Sequence, residues 1–93
     1  MVLAEMEQKA VQELAEGLKR RLEQEIKNLD SAQFDLVKLE IRVKLFGEQD
    51  LDDRERKAFS QAYPEDIAKH KAEIARLQAQ LDKLLAYGKT GQS

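Results

Sequence analysis

His70 is the only histidine in the chain, with Asp66 four residues before it and Glu73 three after. On a helix these spacings put one imidazole and two carboxylates on a common face. Such a set could ligate a metal, or hold a general base oriented by an acid. It also arises by chance on charged helices, and His70 falls at a position where a polar residue can set helix register. No metal and no cofactor is therefore expected.

The acidic run Glu48, Asp50, Asp52, Asp53, Glu55 suggests a cation site. It lacks the Asp-x-Asp-x-Asp-Gly loop and the closing bidentate Glu of a calcium hand. Acids at a helix start explain it better. Gly88-Lys89-Thr90 looks like the end of a phosphate-binding loop, but the earlier glycine would fall at Lys83, and a helix rather than a strand precedes it. Ser31 and Ser60 have no base partner in sequence. No nucleophile, base and oxyanion set emerges, so no catalytic residue is assigned and the chain is not expected to be an enzyme.

Lys19, Arg20 and Arg21, with Lys69, Lys71, Arg76 and Lys83, could contact phosphates. No aromatic residue is interleaved for base stacking. The isoelectric point of about 5.5 is low for a nucleic-acid footprint. A small dimeric helical bundle binding nucleic acid through Lys19, Arg20 and Arg21 is the alternative function rather than the first. The net charge of −2 divides unevenly: residues 30–66 carry −4 and residues 67–93 carry +3. Helix dipoles account for that polarity, with acids near N-termini and bases near C-termini.

These side chains must be held by a small scaffold. Ninety-three residues allow one domain with a thin core, for which association is a common remedy. The chain is 37% charged and 5% aromatic, and rich in Ala, Glu, Lys, Leu and Gln, as helical and coiled-coil proteins are. With no cysteine, disulfides and thiolate chemistry are excluded. The start, MVLAEMEQK, reads as no signal peptide, and no apolar run approaches the ~20 residues of a membrane span. A cytoplasmic protein with no membrane and no small-molecule substrate is expected.

Val11, Leu14, Leu18, Leu22, Ile26 and Leu29 recur at steps of three or four, predicting a helix from about Leu3 to Leu29. Asp30-Ser31-Ala32-Gln33 has the form of a capping box, which either starts a second helix or sits on a continuing one. Residues 37–45, VKLEIRVKL, alternate apolar and charged side chains. As a strand they have one oily face and nothing in the chain to pair with. As a helix they place Phe34, Val37, Ile41 and Leu45 on one side, and Leu36, Leu39, Val43 and Phe46 on the other. The helical reading is preferred, with an intersubunit strand as the alternative. Gly47 ends the segment, Asp50 or Asp52 caps a short helix to about Ala62, and Tyr63-Pro64-Glu65-Asp66 marks a fresh helix start. Ile67, His70, Ile74, Leu77, Leu81 and Leu84 then alternate steps of three and four, a coiled-coil seam ending near a Gly88 cap.

The sequence thus predicts an all-α fold: a helical hairpin or small bundle with a coiled-coil C-terminal helix, oligomeric, α+β being the alternative. Residues 1–87 form a single domain and residues 88–93 a flexible tail. The expected function is a non-enzymatic protein-interaction module, an adaptor, chaperone, inhibitor or regulator. Phe34, Val37, Ile41, Leu45, Ile74, Leu77 and Leu81 are its expected contacts, and a protein partner or a homodimer its expected assembly.

Overall fold

The computed structural model describes residues 4–90. Helix α1 spans Glu5–Phe46, a 3-10 turn Glu48–Asp50, α2 Asp53–Lys57, a π-helical segment Ala58–Ala62, and α3 Tyr63–Thr90. Among these residues there is no strand, so the fold is all-α. Residues 37–45 lie inside α1, where the helical backbone hydrogen bonds replace those of a ladder, and the strand alternative is not adopted.

The Leu3–Leu29 helix and the segment after Asp30 are one helix rather than two; Leu3 itself lies outside the described residues. The reason is an unbroken seam. Ala15, Leu22, Leu29, Leu36 and Val43 follow one another at intervals of seven, as do Val11, Leu18, Glu25, Ala32 and Leu39. All ten are buried or half-buried. Ala32, within the would-be cap, is a buried member of this series, and a break there would throw later positions out of phase. Of the stripe expected from sequence, Val11, Leu18, Leu22 and Leu29 lie on the seam, but Leu14 is 60% exposed and the seam runs through Ala15 instead. Ile26 is also exposed.

The α3 seam is as expected and extends at both ends, through Tyr63, Ile67, His70, Ile74, Leu77, Leu81, Leu84 and Gly88. Gly88 does not cap the helix. It is buried within α3, which continues to Thr90, and an added Cβ would come 3.3 Å from Val11 Cγ1. Residues 88–90, expected in the tail, therefore belong to α3; residues 91–93 lie outside the described residues. Helix α3 starts at Tyr63, as the Tyr63-Pro64-Glu65-Asp66 stretch predicts, but directly after the π-helical segment rather than after a loop. A proline supplies no N–H and its ring crowds the carbonyl four residues back, here that of Ser60. The backbone widens just before it, and Tyr63 N–H bonds to the Ala58 carbonyl.

Contacts divide the chain into two units. The first joins α1 through Glu25 with α3 from Glu73 onward. Its core is Ala15, Leu22, Leu77 and Leu81, flanked by Leu18, Ile74 and Leu84. The segments run antiparallel: Tyr87 Oη donates to Glu7 at 3.3 Å, and Arg21 pairs with Glu73 at 3.5 Å. The second unit, Ile26–Ala72, contains the turn. Ala32, Leu39 and Leu51 are its buried apolar residues. Gly47 turns the chain with φ 86° and ψ 164°, a region only glycine adopts readily. Gln49 Nε2 donates to the Phe46 carbonyl at the helix end.

Leu77 is completely buried, so Leu77→Ala is expected to cost about 2–5 kcal/mol in urea denaturation. Two glycines give opposite expectations in the same assay. Gly47→Ala is expected to lose about 1–3 kcal/mol to backbone strain. Gly17→Ala, in α1 with nothing within 4 Å of an added Cβ, is expected to gain up to about 1 kcal/mol.

Candidate functional site

The residues that sequence proposed for partner contact separate into two sets. Ile74, Leu77 and Leu81 pack inside the chain, Leu77 with no exposed surface. Phe34, Val37, Ile41 and Leu45 remain on the surface of α1, Phe34 at 63% and Leu45 at 68% exposure. They share a helix face because their spacings are three, four and four residues. Leu36, Leu39 and Val43, on the other side of the same segment, are at least half-buried, whereas Phe46, expected with them, is 60% exposed at the helix end. The helix thus packs one apolar side and presents the other.

Charged side chains border that face. Lys38 pairs with Asp35 at 3.1 Å while its ammonium stands 5.0 Å from the centre of the Phe34 ring. Such a cation over an aromatic face adds roughly 0.5–1 kcal/mol at an exposed site and orients the ring. Lys44 and Glu40 are exposed on the same stretch.

Arg42, which sequence reading left on the flank of the segment, organises the adjoining turn. Its Nε donates to Asp50 Oδ2 at 3.0 Å and its Nη2 to the Asp50 carbonyl at 3.0 Å. Its Nη1 pairs with Glu55 Oε2. Glu55 is also part of a capping box: its N–H donates to Asp52 Oδ1 at 2.7 Å, and its Oε1 accepts from Asp52 N–H at 3.2 Å. The acidic run is therefore largely engaged in holding the turn. Asp53 makes a 3.4 Å pair with Arg56.

The other candidates are placed apart. Lys19, Arg20 and Arg21 are exposed, but consecutive helical residues point about 100° apart, so they do not share one face. Arg20 reaches the Glu16 carbonyl at 3.5 Å, and Arg21 pairs with Glu73. His70 is half-buried on the α3 seam while Asp66 is exposed. Glu73 is taken by Arg76, at 3.0 Å from its Nε. Among the described residues no group of three or more His, Cys, Asp or Glu is placed to hold a metal ion. No helix there is long and apolar enough to cross a membrane.

No protein family, curated protein or solved structure matches the chain. The exposed α1 face is the candidate site that its own geometry offers.

The hydrogen bonds from Arg42 and from the Asp52 backbone hold the Glu55 carboxyl below its ordinary value of 4.5. A carboxylate with a depressed folded-state pKa stabilises the fold above its unfolded value, and that contribution is lost as pH falls through the folded one. Glu55→Gln should therefore be less stable than the parent near neutrality. Its stability should also fall less steeply on acidification below about pH 4.5, measured by thermal melts across an acid series.

Proposed function

We propose that this chain is a non-enzymatic protein-interaction module that works by packing the exposed α1 face onto another helix. The observation that carries this reading is the pair of opposed apolar sides in residues 34–45, one buried within the chain and the other open. Isolated exposed leucines need no explanation, but four neighbouring large apolar residues on one helix face do. Placing Phe34, Val37, Ile41 and Leu45 in water forgoes roughly 1.5–3 kcal/mol for each side chain that could be fully buried. A helix laid along them recovers part of that free energy, with the ridge of one fitting the groove of the other. A role as adaptor, chaperone, inhibitor or regulator needs no more chemistry than this.

The test uses Ile41→Asp. Because Ile41 is half exposed, the variant should keep its helical circular dichroism and its melting transition. It should lose partner binding by at least about tenfold, as a charge placed centrally in an apolar contact does. The Arg20→Ala, Arg21→Ala double variant should bind as the parent does. Undiminished binding by folded Ile41→Asp would rule this face out.

A further inference from the structure

We propose that the occupant of this face is a second copy of the chain, lying antiparallel across it; this rests on the reading above and specifies the partner. The argument begins with a second seam on α1. From Lys27 through Asp30, Phe34, Val37 and Ile41 to Lys44 the steps are three, four, three, four and three. Unlike the first seam, every one of these positions is exposed. A strict alternation of threes and fours is the spacing by which one helix meets another along its length.

Its order of side chains is self-complementary on reversal. The apolar centre is Phe34, Val37 and Ile41. An acid precedes it, Asp30, and a base follows it, Lys44. A two-fold axis at Val37 brings Phe34 against Ile41 of the other copy. The same axis brings Asp30 against Lys44. Each contact occurs twice, as an isologous interface requires. Parallel pairing would instead set Lys27 on Lys27 and Asp30 on Asp30. Within the chain, the ion pairs among the described residues use neither Asp30 nor Lys44. Lys38, which lies beside the proposed axis, is already paired with Asp35. The whole seam lies within the second unit.

Sedimentation equilibrium on the full chain tests this. The parent should reach a mass of twice 10.7 kDa as concentration rises. Asp30→Lys and Lys44→Asp should each raise the dimer dissociation constant roughly tenfold, since each replaces two symmetry-related attractions by repulsions. The double exchange, Asp30→Lys with Lys44→Asp, should return it to within about threefold of the parent. Circular dichroism should show all three variants folded. A parent that stays a single chain at millimolar concentration overturns self-pairing and leaves the face itself as the binding site for another protein. A dimer indifferent to the single reversals, or one that the double exchange does not restore, overturns the antiparallel register. A dimer that persists in folded Ile41→Asp places the contact elsewhere and overturns self-pairing across this face, while the face itself is tested by partner binding of the same variant.

Discussion

The structure depends on one constraint, the preservation of heptad phase along α1 from Val11 to Val43. An α-helix has 3.6 residues per turn, so a seven-residue repeat stays on one side only if nothing interrupts its count. Ala32 keeps that count through the Asp30–Gln33 stretch, where a cap could have broken the helix. Because the phase holds, each unit finds its buried side on α1 in the same series of positions. The core of the first unit then needs only Leu77 and Leu81 from α3, at positions of the matching repeat.

Phase also decides what is left outside. Two seams cannot share a side of one helix, so burying Leu36, Leu39 and Val43 exposes Phe34, Val37 and Ile41. The turn reinforces the choice. Arg42 lies between the seams and reaches Asp50 and Glu55 beyond Gly47, tying the last turns of α1 to the start of α2. It is partly exposed, so its worth lies in geometry more than in raw Coulomb energy. The forked guanidinium and the reciprocal cap of Asp52 and Glu55 share a carboxylate, which ties each to the geometry of the other.

How much of this could be read from the residues follows from side-chain size. The α3 seam was legible because Ile67, Ile74, Leu77, Leu81 and Leu84 are large and regularly spaced. The α1 seam was legible only in part: Val11, Leu18, Leu22 and Leu29 mark it, but it also passes through Ala15, Glu25 and Ala32, while Leu14 and Ile26 advertise apolar surface that stays in water. Residues 37–45 mimic a strand because two helical seams interleave there, and their sum alternates with period two. The exposed face was legible as one of two apolar sides, but which side would be consumed depended on contacts distant in sequence. Arg42 was missed for the same reason, since its acidic partners lie eight and thirteen residues ahead, across a turn. The π-helical segment before Pro64 left only the proline itself as a signal.

The two ends of the contact pattern differ greatly in chain separation, and so in the entropy lost on closing them. The Arg42–Glu55 contact spans thirteen residues, whereas the Tyr87–Glu7 contact spans eighty. By chain-closure entropy alone the shorter loop is favoured by about 1.6 kcal/mol. Contacts next to Gly47 therefore carry the smaller closure cost, and those joining the α1 start to the α3 end the larger.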